Sequence, residues 1–428
     1  MNGKTIKTLY FLALAVLAAL GLAALGYRLA VGMRVTALTS YVSWGLWVAF
    51  YIYFIGLSAG SFLLSTMVYV FGMRSLEKVG RMALFSAFFA LGAGLLFIWI
   101  DLGHPYRFWE IFLTPHFTSV MTIESWLYLL YLVLIAAELW LLMRDDLAAL
   151  GVERPGLAGG VARVLTLGYR PASDAEPRER QRRRAGKWVK ALGILGVPTA
   201  IGVHGGTGAI FAIAIARPYW NGGLFPIVFL VSALASGAAL VTFLYAAFGQ
   251  RDAEFPHVLR TAATLTVLLI CLDLILLTSE VLVALYGGIP SDVNVFQAMF
   301  AGEYWWVFWL GQLGLGAAVP FLLVGLPRTG HSPFWLGVAG LSTVLGIFAV
   351  RLNIVIPGFV VPVLSGLPTA YRDSRLTYAY FPSVWEFASS VGVVALIILL
   401  FSLFWGWLPL FGTGKVSRAP ETTDRSPQ

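Results

Sequence analysis

Long apolar runs alternate with short polar breaks along almost the whole chain. Runs long enough to cross about 30 Å of hydrocarbon, roughly 20 residues each, fall near 9–30, 43–72, 80–100, 118–143, 189–216, 224–249, 258–287, 304–326, 334–356 and 384–410. The pattern predicts an all-α polytopic membrane protein with about ten transmembrane helices. The first run follows Lys4 and Lys7 as a signal peptide would, but it lacks a clean small-residue cleavage site and nine further spans follow it, so it reads as a retained helix. Composition agrees: with 59% hydrophobic and 12% charged residues in 428, polar groups are too few to cover a water-soluble globule.

Alternate loops differ in charge. The N-terminus, 73–82, 144–190, 250–260, 327–333 and the C-terminal tail hold most of the 29 Lys and Arg residues. By the positive-inside rule this predicts a multi-pass protein of the bacterial cytoplasmic (inner) membrane with both termini in the cytoplasm. The net charge of +8 then needs no nucleic acid, and "RERQRRRAGK" reads as an anchor to the inner leaflet of the lipid bilayer.

Two small-residue patches recur, "FIGLSAGSFLLS" around Ser58, Ala59 and Gly60 and "LVSALASGAALVT" around Ala235, Ser236 and Gly237. Such patches let helix backbones approach closely. Their spacing suggests a parallel repeat, two four-helix bundles plus two flanking helices. The expected division is 1–35 as the N-terminal flanking helix, 36–143 with 187–216 as the first bundle, 144–186 as a cytoplasmic linker and 217–356 as the second bundle. After these come an outer loop at 357–383, a C-terminal flanking helix at 384–410 and a cytoplasmic tail at 411–428.

The chemistry is unevenly spread. Cys271 is the one cysteine, and a single thiol cannot ligate an iron–sulfur cluster or build a thiolate zinc site. The five histidines offer no facing intramembrane pair, which argues against haem, and no metal site is expected. Any electrons must travel on an organic carrier. Ionisable residues inside spans are costly and therefore candidates for function: Glu124, Glu138, His204, Asp273, Glu280, Arg351 and Glu386. Asp273 and Glu280 share a helix face two turns apart. With His204 in "GVHGGTGAIFA", Arg351 and Glu386 they form a candidate proton path, which Thr278 and Ser279 hydroxyls would help to continue. Pairing of Arg351 with Glu280 or Glu386 would explain the same charges structurally, and Glu138 lies close enough to the boundary to snorkel.

"FIWIDLGHPYRFWEIFLTPHFTS" runs from Phe97 to Ser119 and gathers Asp101, His104, Arg107, Glu110 and His116 among aromatics. With Glu124 and Tyr128 it offers an apolar slot, hydrogen-bond donors and a proton route, which is what a quinone needs. An interfacial aromatic belt would account for the aromatics but not for the buried carboxyl groups. The second long outer loop, 357–383, carries several prolines and three tyrosines and reads as a docking surface.

Taken together, "DLGHPYRFW", "ESW" at Glu124, the His-Gly-rich fifth span and "RLNIVIPG" resemble the NrfD/PsrC-type membrane subunits of the polysulfide reductase family, in the ten-helix variant. The resemblance extends over about residues 5–410. It implies a haem-free subunit that binds menaquinone or ubiquinone and exchanges electrons with a four-cluster ferredoxin-like iron–sulfur subunit. That partner would serve a catalytic subunit, often a molybdopterin enzyme, and some relatives are thought to conduct protons. By motif match it places Asp101, His104, Arg107, Glu124 and Tyr128 at the quinone, with Glu124 and His104 catalytic. A secondary ion or solute transporter is the alternative that the repeat and the midplane carboxyl groups would also suit.

Overall fold

The computed structural model describes residues 3–364, 366–371, 373, 375–408 and 410. The tail expected at 411–428 lies outside them. The described residues contain ten helices long and apolar enough to cross a membrane and no strand. They are α1 (Gly3–Val31), α2 (Leu46–Tyr69), α3 (Leu76–Asp101), α4 (Val120–Glu153), α5 (Ala175–Ala212), α6 (Phe225–Phe248), α7 (Phe255–Gly287), α8 (Val307–Gly325), α9 (Pro333–Val360) and α10 (Val384–Trp407). Ten successive crossings put the starts of α2, α4, α6, α8 and α10 on one face, called here the first face. It carries 32–45, 102–119, 213–224 and 361–383. The second face carries 154–174 and the short turns before α3, α7 and α9.

Burial separates the inner helices from the outer ones. α2 and α6 are buried over 83% and 72% of their apolar windows, whereas α7 is buried over 11%. α2 packs against α3, α5, α6 and α9, and α6 against α5, α7 and α9, so these two form the spine of the molecule. The two small-residue patches meet there. A Cβ on Gly60 would strike the Ala233 carbonyl, and one on Gly237 would strike the backbone of Gly60 and Ser61. Close approach replaces hydrophobic drive, because lipid is as apolar as the side chains themselves. α1 and α10 cross in the same way through Gly21 and Gly392.

The spans end later than hydropathy predicts on the second face. α4 runs on to Glu153, a helix covers Leu157–Leu165, and α5 begins at Ala175, so most of 144–186 is helical. Several polar residues that continue these helices find partners on them. Arg180 pairs with Glu176 at 3.2 Å and Arg183 with Glu179 at 3.1 Å, one helical turn apart. Arg182 reaches across to Asp145 at 3.2 Å.

On the first face the long loops are pinned to one another. Ser40 N donates to the Arg375 carbonyl at 2.9 Å, Thr39 Oγ1 to the Thr377 carbonyl at 2.7 Å, and Tyr41 stacks on Tyr378 with ring centroids 4.5 Å apart. Glu386 fixes the junction: its Oε2 accepts from Ala37 N at 2.8 Å and Ser383 N at 2.9 Å, and its Oε1 from Tyr380 Oη at 2.7 Å. Tyr380 Oη in turn accepts from Leu46 N at 2.8 Å, the start of α2.

Candidate functional site

Glu124 sits one turn inside α4 from the first face and is 3% exposed. Three hydroxyl groups from three helices converge on one of its oxygens. Thr207 Oγ1 on α5 donates to Oε1 at 2.5 Å, Tyr128 Oη on α4 at 2.7 Å and Tyr51 Oη on α2 at 3.3 Å. The hydroxyls also touch each other, Tyr51 to Tyr128 at 2.5 Å and Tyr128 to Thr207 at 2.9 Å. Helical spacing explains the meeting of Glu124 and Tyr128, four residues apart on one face. Tyr51 and Thr207 are brought in only by packing of α2 and α5 against this part of the bundle.

Such a cluster can hold and pass a proton. A carboxyl group shared among hydroxyls has a ready supply of donors and acceptors whose order can be reversed, and the low local dielectric strengthens each bond. All three hydroxyls fall on Oε1, which leaves Oε2 for another donor. Beside Glu124, α5 presents glycine: a Cβ on Gly206 would lie 3.7 Å from Glu124 Cγ, and one on Gly205 would meet nothing within 4 Å. Glu124 therefore packs directly against the α5 backbone at Gly206, with no side chain between them. On the outward side of α4, Phe117, Ile123, Trp126, Leu127, Leu129, Leu130 and Val133 line an open apolar groove of about 510 Å³. This groove lies on the face of α4 away from the Glu124 carboxyl group, which is not among its lining residues.

The other residues expected at the quinone are divided among different neighbourhoods. His104 lies before the turn Pro105–Arg107. Arg107 is exposed and pairs with Glu110 at 2.7 Å, which holds the Glu110 carboxyl below its ordinary value. Asp101 ends α3 with its Oδ1 buried and unpartnered, within electrostatic reach of Arg28 and Glu386. Arg28 is 1% exposed, donates to the Leu102 carbonyl and to Met33 Sδ, and lies 5.9 Å from the Trp47 ring. The structure therefore joins Tyr128 to Glu124, and it puts Asp101 with Arg28, a residue that apolar-run counting passes over because it lies at the end of the first span.

The expected proton-path residues also separate. His204 and Arg351 are both 0% exposed, and both approach Gly56 of α2: a Cβ there would lie 3.3 Å from Arg351 Nη2 and 3.4 Å from His204 Cε1. Phe229 lies against both, 5.0 Å from the Arg351 guanidinium carbon and 5.7 Å between ring centroids for His204. Asp273 is within electrostatic reach of Arg351, and Glu280 of Asp273, but among the described residues Arg351 makes no ion pair within 4.0 Å. Glu386 is engaged at the first-face junction and not with Arg351. Thr278 and Ser279 turn their hydroxyls back to the Leu274 and Ile275 carbonyls at 2.7 and 2.9 Å on the exposed side of α7, so they do not extend the path. The reason is the edge position of α7, which is buried over only 11% of its apolar window.

Among the described residues no group of three or more His, Cys, Asp or Glu is placed to hold a metal ion. Fold and site together define a polytopic helical membrane protein with a buried carboxyl–hydroxyl cluster near one face. The chain belongs to the polysulphide reductase, NrfD family, whose model matches residues 34–363. It is 48% identical over 410 residues to a selenate reductase subunit of Mesobacillus selenatarsenatis, covering 96% of each protein. It is 29% identical over 411 residues to the Hdr-like menaquinol oxidoreductase integral membrane subunit of Archaeoglobus fulgidus, covering 94% of this protein and 93% of that one. A polysulfide reductase chain of Wolinella succinogenes is 26% identical over 340 residues, covering 74% of this protein and 94% of the relative. All three relatives are named as subunits or chains of reductases or oxidoreductases, and that of Archaeoglobus fulgidus as an integral membrane subunit.

Proposed function

We propose that this chain is the quinone-reactive membrane subunit of a respiratory or sulfur-metabolism oxidoreductase complex, exchanging electrons between the quinone pool and an iron–sulfur partner subunit. The observation that carries the reading is the convergence of Tyr51, Tyr128 and Thr207 on the buried Glu124 Oε1, next to Gly206 of α5. A relative named for menaquinol oxidation supports a quinone as the ligand, and one named for selenate reduction supports a reductase complex over a transporter.

A quinone carries two electrons and two protons between its oxidised and reduced forms. Glu124 holds or takes the proton at its free oxygen, and Tyr128 and Thr207 keep that carboxyl group oriented. Tyr51 and Tyr128 supply the next positions to which the proton moves. Burial of Glu124 among α2, α4 and α5 keeps bulk water from the reacting end. Electrons pass directly to the partner, whose nearest cluster must lie close to the first face because Glu124 does. The reading therefore expects the partner over 101–117 and 357–383, on the outer side if the basic second face is cytoplasmic.

Glu124→Gln tests the reading, since it keeps the shape and removes the titrating proton. In the assembled complex, quinol-linked turnover is expected to fall by about tenfold or more, the range for loss of a proton-transfer group, with quinone content and the set of bound subunits unchanged. Parental turnover in an assembled complex would remove Glu124 from the chemistry. A purified protein that brings down neither an iron–sulfur protein nor a quinone would favour transport.

A further inference from the structure

Between α4 and α5, at the second face, the helix Leu157–Leu165 buries its small residues and exposes its large ones. Gly159 and Ala162 are buried, and a Cβ on Gly159 would strike the Arg154 carbonyl, so this side packs close on the end of α4. Val164, Leu165 and Leu167, at the far end of the helix, are exposed. Leu167 holds a left-handed backbone with φ 52° and is 77% exposed; among the described residues it is the one non-glycine residue with positive φ. The place just past a helix end usually goes to glycine, because a Cβ is strained there. Gly168 follows immediately at φ 80°. A leucine in that strained position, with its side chain clear of the protein, needs an outside partner to explain it.

Trp140 fixes where this end of the hairpin lies. Trp126, Leu130, Val133 and Trp140 follow on α4 at steps of four, three and seven, on the face opposite to Glu124 and Tyr128. Leu130 is 40% and Val133 56% exposed, so this is the lipid-facing side of α4. Trp140 Nε1 donates to the Leu165 carbonyl at 3.0 Å, and Tyr169 Oη lies 2.7 Å from Asp145 Oδ1 and 3.2 Å from Gln181 Oε1. Residues 165–169 are therefore tied to the level of 140–145, where the apolar run of α4 gives way to Arg144, Asp145 and Asp146. That is the boundary between hydrocarbon and headgroups, and Leu165 and Leu167 overhang the leaflet there. Val152, 88% exposed at the end of α4, stands about three helical turns beyond Trp140.

The charges around this end are basic. Residues 154–190 hold ten Lys and Arg against three Asp and Glu. Within "RERQRRRAGK" the arginines Arg180, Arg182 and Arg183 are engaged in ion pairs. Arg144 is held differently. Its guanidinium carbon lies 4.3 Å from the Tyr169 ring and 5.7 Å from the Trp140 ring, and Nη2 donates to the Gln181 carbonyl at 3.1 Å. Among the described residues it makes no ion pair within 4.0 Å, because its neighbour Asp145 is taken by Arg182. The rest of its donor fork is left for another acceptor. Arg170, next to the stacked Tyr169, is exposed and likewise makes no ion pair. A guanidinium held by two rings at the headgroup boundary, with a second arginine beside it, suits a phosphate. The leucines at the same level suit acyl chains.

We propose that this end of the hairpin binds an anionic phospholipid of the second-face leaflet, with Arg144 and Arg170 on the headgroup phosphate and Leu165 and Leu167 among the acyl chains. Lipid is the occupant because the stripe from which the hairpin hangs faces lipid from Trp126 onwards, so the exposed leucines continue a surface that acyl chains already cover. An anionic headgroup matches the excess of positive charge, and the arginine-rich start of α5 adds long-range attraction without making the contact. The site shares no residue with the Glu124 cluster and stands whatever ligand that cluster takes.

The test uses the full chain, alone and in its assembled complex, in nanodiscs of phosphatidylcholine and phosphatidylglycerol. In a Cys271→Ala background, a nitroxide label at Leu167→Cys is expected to be reached better by oxygen, which concentrates among acyl chains, than by a water-soluble nickel chelate. A label at Val152→Cys should show the reverse. Native mass spectrometry with the two lipids supplied in equal amounts reads the selectivity. The parent should retain phosphatidylglycerol over phosphatidylcholine, and Arg170→Gln should lower that preference by about fivefold, the weight of one basic side chain at an anionic surface. Leu167→Gly relieves the backbone, so it should fold as the parent does and bind both lipids more weakly. Arg144→Gln should match Arg170→Gln, and the Arg170 and Leu167 variants decide the matter if it disturbs the hairpin. Equal retention of the two lipids by the parent, or parental selectivity in Arg170→Gln, overturns the proposal. So does a label at Leu167→Cys that the nickel chelate reaches as readily as it reaches Val152→Cys. Loss of access to both reagents in the assembled complex alone would assign the hairpin to a partner subunit and reject the lipid.

Discussion

Three glutamates show how neighbours decide what one residue type does in a membrane. Glu124 receives three hydroxyls on a single oxygen, Glu138 receives nothing, and Glu386 is spent entirely on backbone and loop. Its spacing from Ser383 is that of a capping box, and Ser383 Oγ accepts from Glu386 N at 3.2 Å while Glu386 accepts in return from Ser383 N. A Ser-x-x-Glu pattern ahead of an apolar run marks a helix start, and the proton-path reading of Glu386 overlooks it. Burial and the neighbouring Glu386 carboxyl group push the Tyr380 phenol well up, so it remains a donor across the physiological range. Glu386→Ala is expected to destabilise the assembled protein by about 1–3 kcal/mol, the cost of leaving a buried polar partner unpaired. A thermal melt reads this, and an unchanged melting temperature would show that the first-face loops hold without the junction.

At the level of helices, the contacts that set the architecture are those that exclude a side chain. Gly60 and Gly237 sit where α2 and α6 touch backbone to backbone. Gly237→Leu should cost about 3 kcal/mol or more by overpacking and should abolish monodisperse protein in mild detergent. Gly92→Leu on α3, where an added Cβ meets nothing within 4 Å, is the matched control and should behave as the parent. Equal behaviour of the two variants would mean that the crossing is looser than its geometry. α8 adds a contrast: it opens with a π-helical stretch over Val307–Ala318, where Gln312 accepts from Asn353 Nδ2 at 2.8 Å. Wide-wound helix of this kind is rare and often marks functional positions, and no feature of the α8 sequence foretold it.

Over the whole molecule the two faces differ in what they offer a partner. The first face exposes Tyr106, Phe108, Trp109, Leu113 and Phe117 on a loop held by its own turns, together with the pinned 375–380 segment. Exposed aromatics on ordered backbone are the usual makings of an interface. Cross-linking of the assembled complex is expected to place the iron–sulfur partner on 101–117 and 357–383. A map confined to 144–190 would move the partner to the other face and separate it from Glu124 by most of the membrane.

Hydrophobic run length determined the ten crossings and the all-α class, because lipid cannot satisfy a backbone and only helices of about 20 apolar residues span it unaided. The same physics singled out Glu124, His204, Asp273, Arg351 and Glu386 as residues needing an explanation, since each charge inside hydrocarbon is costly. Glu124 with Tyr128 was legible because the two lie one turn apart on one helix. Their union with Tyr51 and Thr207, the approach of Arg28 to Asp101, and the outward position of Thr278 and Ser279 on α7 depend on how the helices pack. Such contacts depend on the rotation and depth of each helix in the bundle. Hydropathy gives neither, because nearly uniform apolar spans carry no stripe to say which face turns inward. Packing of small residues against backbone decided it, and with it which buried polar groups meet.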